Sequence, residues 1–351
     1  MTLESFEIIR VLILTAVAFV LALAWAPFFI RLLKKWHIGK SIRTEERTPI
    51  FSRLHAKKEG TPTMGGVLVW GTVLVLALVL YLFSKYAPDS TLGQFNFLTR
   101  PQTLLPMGAL VASALVGLVD DYFNCKHIGP EGGGLRVRHR LIIYTAIAAV
   151  GAWWFSAKLD WDFLHVPFLG DYTIGLWYVP FFILVLVATA FSVNETDGLD
   201  GLAGGTLMTS FGAFAIIAFA QGKYDLAVFC GVILGALLAF LWFNIYPAKF
   251  FLGDTGAMSL GITLGIVAML TNSALFLPVI GFVFMLESLS VLAQITSRKV
   301  FKKRLFRSAP FHHHLEAIDW PEPTIVMRLW VISMIAGAVG VALVLIDALI
   351  Q

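Results

Sequence analysis

Ten apolar runs, most of them about long enough to cross a bilayer, recur along this chain. They lie near residues 6–30, 63–86, 103–121, 140–157, 174–192, 203–220, 225–243, 256–272, 275–297 and 327–349. In hydrocarbon a helix satisfies its own backbone, whereas an open strand does not. The runs therefore predict an all-α polytopic membrane protein with ten transmembrane helices. Composition agrees: 58% of the residues are hydrophobic and 14% charged, against about 25% charged in ordinary soluble domains. No linker-like or low-complexity stretch divides the chain, so residues 1–351 read as a single transmembrane domain. The first run imitates a secretory signal, with Arg10 near its start and Ala22-Leu23-Ala24 within it. It is too long for one and a dense basic loop follows, which predicts a retained spanning helix. Only Thr271 to Ala274 separate the eighth and ninth runs, and Pro278 predicts a kink or a helix start there. The two cysteines, Cys125 and Cys230, are too few for a disulfide framework.

Basic residues orient the bundle. Of 26 Lys and Arg, 21 fall in the loops after odd-numbered runs. Nine lie between Arg31 and Lys58, followed by Lys126, Arg136, Arg138, Arg140, Lys249 and seven from Arg298 to Arg328. The positive-inside rule puts those loops in the cytoplasm and both termini on the outer, periplasmic side. The cytoplasmic face so defined suits anionic headgroups and anionic substrates.

Carboxylates at membrane depth are costly, so each one requires a reason. Asp120 and Asp121 end the third run, and Asn194-Glu195-Thr196-Asp197-Gly198-Leu199-Asp200-Gly201 joins the fifth and sixth. Asn244 closes the seventh run, Phe251-Leu252-Gly253-Asp254-Thr255-Gly256 opens the eighth, and His312-His313-His314 lies in the last odd loop. All of these fall on the one face drawn from hydropathy and charge. A single Asp at a helix end can be a plain cap, and a glycine pair a plain turn. The adjacent pair Asp120-Asp121 is harder to explain so, because two like charges need a cation or donors between them. Adjacent histidines cannot easily converge on one tetrahedral ion, which argues against zinc and for phosphate binding or carboxylate orientation. The basic run Lys299 to Arg307 reads as a membrane anchor. Acids able to hold a hard cation, glycine-rich turns and a basic face together suit phosphoryl transfer to a lipid.

Several motifs follow one another in order: Gly60-Thr61-Pro62-Thr63-Met64-Gly65-Gly66, Asp120-Asp121-Tyr122, Thr196 to Ala203, Phe240 to Asn244, Gly253 to Gly256, Ala309 to Glu316, and Trp320-Pro321-Glu322. Together they resemble the polyprenyl-phosphate N-acetylhexosamine-1-phosphate transferases, and within them the branch with a muramoyl-pentapeptide donor. The resemblance implies a homodimer in the bacterial inner membrane with an Mg2+-dependent cytoplasmic site. It implies a reaction of UDP-N-acetylmuramoyl-pentapeptide with undecaprenyl phosphate that yields lipid I and UMP. By position, Asp254 matches the metal ligand, Asp120 the acid that engages the lipid phosphate, and Asp121 and His313 further catalytic residues. Lys58, Thr63, Asn194, Asp197, Asp200, Asn244, Phe251, His312 and His314 match substrate-binding positions, Phe251 being the aromatic stacked on uracil. Three positions depart from the family pattern: Asn124 and Arg140 stand where lysines are usual, and Glu195 where a leucine is. Two rival readings remain at this point. One is a sister transferase using UDP-GlcNAc; the other is a secondary transporter with acids along its path, for which Glu287 inside the ninth run is the relevant residue.

Overall fold

The computed structural model describes residues 2–36, 38–39, 58–129 and 133–351. Lys40, Arg43, Arg47, Arg53 and Lys57 of the first basic loop lie outside the described residues. The chain runs α1 (Leu3–Lys35), α2 (Gly66–Tyr86), a short α3 (Thr91–Gln94), α4 (Leu104–Cys125) and α5 (Val137–Lys158). A hairpin follows, β1 (Phe163–Val166) and β2 (Gly170–Thr173), then α6 (Tyr178–Thr196), α7 (Leu202–Ala220), α8 (Tyr224–Asn244) and α9 (Gly253–Leu270). The chain ends with a short α10 (Leu277–Ile280), α11 (Phe282–Val300), a short α12 (Phe311–Ala317) and α13 (Glu322–Ile350).

Among the described residues nine helices are long and apolar enough to cross a membrane, where ten were expected. The difference lies in the ninth run. It breaks at Gly281 into α10 and α11, and α11 presents polar residues inward. Glu287, Ser288, Ser290 and Gln294 are buried, while Leu289, Leu292 and Ile295 face outward. An inside-out helix of this kind dilutes the average hydropathy that identifies its neighbours. The all-α expectation also needs one amendment, the antiparallel hairpin that pairs Phe163 with Thr173 and Val166 with Gly170.

α9 forms the centre of the bundle, with 94% of its apolar window buried and α2, α4, α6 and α7 packed around it. Small residues recur along it at four-residue spacing, Gly253, Ala257, Gly261 and Gly265, which lets neighbouring backbones approach closely. A Cβ at Gly261 would sit 2.8 Å from Ala190 Cα of α6. Its hydroxyls stay satisfied within the helix: Ser259 donates to the Thr255 carbonyl at 2.6 Å and Thr263 to that of Ser259 at 2.7 Å.

Polar contacts sort the helix ends into two rims. At one, Arg10 joins Glu7, Asp225 and the Asn96 carbonyl. On the same side Lys223 and Gln221 cap the end of α9 at Leu270 and Thr271, and His165 bridges Asp171 and Asp347. This rim gathers the loops after even-numbered runs together with residues near both chain ends. The opposite rim gathers the described parts of the odd loops and carries the candidate site.

Candidate active site

The last turn of α4 meets the first turn of α9. Asp121, 2% exposed, accepts the backbone N–H of Asp254 on Oδ1 at 3.1 Å and that of Thr255 on Oδ2 at 3.0 Å. The first amides of a helix lack partners within it, and α4 supplies the cap that the sequence beside α9 does not. Thr63 Oγ1 reaches the same carboxylate at 3.4 Å. Asp120, fully buried, accepts from Leu135 N–H at 2.5 Å and faces Arg140.

Arg140 is the hub of this cluster. Its Nε lies 2.8 Å from Asp120 Oδ2, an ion pair by distance though not aligned as a hydrogen bond. Its terminal nitrogens donate to Asn194 Oδ1 at 3.0 Å and to Asp254 Oδ2 at 2.9 Å. Asn194 Nδ2 donates to the other Asp254 oxygen at 2.7 Å, and Asp197 accepts from Gly253 N–H at 3.2 Å. Four carboxylates, from Asp120, Asp121, Asp197 and Asp254, thus surround the start of α9 with one guanidinium bound among them. That excess of anionic oxygen fits a hard divalent cation held by one or two carboxylates and completed by substrate phosphates. It does not form a protein cage, since the described residues contain no ready-made set of three or more metal-ligating side chains.

A second cluster ties the loops together. Lys58 Nζ lies 2.6 Å from Asp200 and 2.5 Å from Glu322, while Glu322 also accepts from Asp200 N–H at 2.8 Å. Asp200 accepts from Ala248 N–H at 2.9 Å. Asn244 accepts from Gly201 N–H at 3.0 Å and donates to the Phe250 carbonyl at 2.8 Å. Phe251 pairs its backbone with Pro62 and Gly65 at 2.8 and 2.7 Å, joining the Gly60–Gly66 motif to the start of α9, and its side chain is half-buried.

The histidines turn in different directions. His313 Nδ1 lies 2.6 Å from Glu316, and His314 Nδ1 accepts from Arg307 N–H at 3.2 Å. His312 is fully buried, with Nδ1 3.1 Å from Glu287, and a Cβ at Gly198 would sit 2.2 Å from its Nε2. Gly198 is the residue that lets this ring reach the Asp197–Asp200 turn. Burial would push the His312 imidazole down, but Glu287, Glu316 and Glu195 hold it above the ordinary histidine value. The His312 and His313 rings are 4.1 Å apart between centroids, so the triplet adjoins the acidic turn through its first member.

The residues singled out from sequence therefore meet at one rim. Three more belong with them. Arg140 stood out only as a departure from a pattern, Glu287 as an acid inside an apolar run, and Glu322 as one residue of a motif. Each has its partners on distant segments, which spacing along the chain does not reveal.

A signature described as phospho-N-acetylmuramoyl-pentapeptide-transferase signature 1 matches residues 58–68, and the model for glycosyl transferase family 4 matches residues 103–272. The chain is 38% identical to the phospho-N-acetylmuramoyl-pentapeptide-transferase of Chloroflexus aggregans, across 97% of this chain and 91% of that protein. It is 38% identical to the enzyme of that name from Shouchella clausii, covering 96% and 98% of the two chains. The same identity holds against the Geobacillus kaustophilus protein, covering 94% and 97%. With such identity over nearly its full length, the chain belongs to the phospho-N-acetylmuramoyl-pentapeptide transferase family.

Proposed function

We propose that the protein transfers phospho-N-acetylmuramoyl-pentapeptide from its UDP donor to undecaprenyl phosphate, giving lipid I and UMP, at the cytoplasmic face of the inner membrane. The observation that carries this reading is the meeting of four carboxylates and Arg140 at the start of α9, on the rim that holds the basic loops. Acids along a transport path lie near the bilayer midplane on broken helices; here the cluster sits at helix ends. Glu287, the one exception, is engaged by His312.

Asp254 is the residue best placed to hold Mg2+, because it opens α9 and is less deeply buried than Asp120 and Asp121. Bound there, Mg2+ would neutralise charge on the donor diphosphate. Arg140 and Asn194 hold the two Asp254 oxygens, while Asp121 fixes the backbone beneath them. Asp120 holds Arg140 in turn. A phosphomonoester has a second pKa of about 6, so the lipid phosphate arrives largely dianionic and needs orientation more than deprotonation. Its oxygen attacks the sugar-linked phosphorus and UMP leaves. A two-step path through a carboxylate nucleophile differs by a phospho-enzyme that accumulates without acceptor lipid. Lys58, Asp200 and Asn244 shape the loops beside this centre, where Phe251 offers an aromatic face to uracil. The working form we propose is a homodimer.

The test is Mg2+-dependent UMP release in the presence of undecaprenyl phosphate. Asp254→Asn should lower the rate by about a hundredfold or more, the scale for losing a group that stabilises developing charge. Release from UDP-GlcNAc alone would identify a sister transferase. Solute movement across vesicles with no UMP from either donor would sink the transferase reading.

A further inference from the structure

A carboxylate buried within a bundle of membrane-spanning helices needs a compensating partner. Glu287 is fully buried in α11, and its own helix offers no cation before Arg298. Its partner comes from α12. His312 Nδ1 lies 3.1 Å from Glu287 Oε2, with both side chains 0% exposed, and the His312 backbone N–H donates to the same oxygen at 3.2 Å. One carboxylate oxygen thus accepts from the main chain and faces the ring as an ion pair by distance, though not aligned as a hydrogen bond, so the imidazole cannot turn without losing the pair. The far edge of the ring, Nε2, has no hydrogen-bond partner among the described residues and abuts Gly198. Next along α11, Ser288 donates to Ser192 Oγ at 2.7 Å, which pins α11 to α6 just before the Asn194–Asp200 segment.

We infer that Glu287 is a positioning residue for the transferase site. It holds the His312 ring with Nδ1 toward α11 and Nε2 beneath the Asp197-Gly198-Leu199-Asp200 turn, and so sets the turn that brings Asp197 to α9. The inference deepens the transferase reading and rests on it. The charged groups facing His312 are Glu287 from α11, Glu316 from α12 and Glu195 from α6, with the His313 ring beside it. Three carboxylates around one imidazole favour the imidazolium, which is the form that donates from both nitrogens.

The experiment is the pH profile of UMP release by the full-length enzyme and its variants. Glu287→Gln keeps the shape and removes the charge. It should lower the rate by about tenfold to a hundredfold, the range for losing the partner that orients a functional imidazole. It should also move the alkaline limb to lower pH, since His312 then loses its proton sooner. Glu287→Asp keeps the charge one methylene further away, and its limb should fall between those two. Added to His312→Gln, Glu287→Gln should cause no further loss, because one residue acts through the other. Losses that multiply, or a Glu287→Gln enzyme with the wild-type limb, would overturn the inference while leaving the transferase reading intact. Should Glu287→Gln fail to fold, an unmoved limb in Glu287→Asp overturns it equally. A wild type that releases no UMP overturns the transferase reading itself, and this inference with it.

Discussion

At the scale of single residues, Arg140 spreads one planar guanidinium over Asp120, Asn194 and Asp254. A lysine there offers one point charge where the site uses a fork. Arg140→Lys should therefore keep the fold but slow UMP release, with the defect in kcat rather than in thermal midpoint. Arg140→Ala leaves Asp120 buried without its cation, which costs on the order of 3–5 kcal/mol. A thermal midpoint in detergent equal to wild type would refute that. Asp121→Asn makes a sharper test, because both carboxylate oxygens accept backbone N–H groups and an amide can accept on only one side. The unmatched amide should cost about 1–3 kcal/mol and loosen the start of α9, seen as faster hydrogen exchange at Asp254 and Thr255. The residues themselves were legible from sequence, since Asp120, Asp121, Asp197 and Asp254 stand out against apolar surroundings. Their division of labour was not. That Asp121 caps the start of α9 from another helix depends on which helix ends touch, and no spacing along the chain encodes it.

At the scale of elements, hydropathy located the long helices because lipid rewards a uniform apolar surface. It faltered at α11, whose polar side is turned inward, and at the β1–β2 hairpin, which lies in a loop that hydropathy ignores. The hairpin is held by His165, whose Nδ1 lies 2.7 Å from Asp171 of β2 and whose Nε2 lies 2.5 Å from Asp347 near the end of α13. Burial pulls the His165 imidazole down, but hydrogen bonds and charge from the two carboxylates outweigh it and raise its pKa. A histidine whose folded pKa is raised lends stability that is complete below its unfolded value of about 6.5. That contribution is lost as pH climbs through the folded value. Hydrogen exchange over residues 163–173, corrected for intrinsic rate, should therefore show protection that fades as pH rises above about 6.5 and through the raised folded value. His165→Gln should make that protection lower and independent of pH. Equal pH dependence in the variant and the wild type would refute the latch.

For the whole molecule, two polar rims close an apolar barrel of helices, and they differ in purpose. One rim carries the acids, Arg140 and the histidines; the other carries ties such as Arg10 with Glu7 and Asp225. We propose that the first rim faces the cytoplasm, because 21 of 26 Lys and Arg fall in the loops after odd-numbered runs and the translocation machinery retains such loops. That assignment is testable without any substrate. In a chain with Cys125→Ser and Cys230→Ala, single cysteines at the exposed positions Asp89 and Lys303 report the two rims separately. A membrane-impermeant thiol reagent added to intact cells should label Asp89→Cys and spare Lys303→Cys, and inverted vesicles should reverse the pattern. Labelling of Lys303→Cys from outside would place the carboxylate cluster away from every cytoplasmic nucleotide. The donor proposed here could not reach it, however well the residues fit the chemistry.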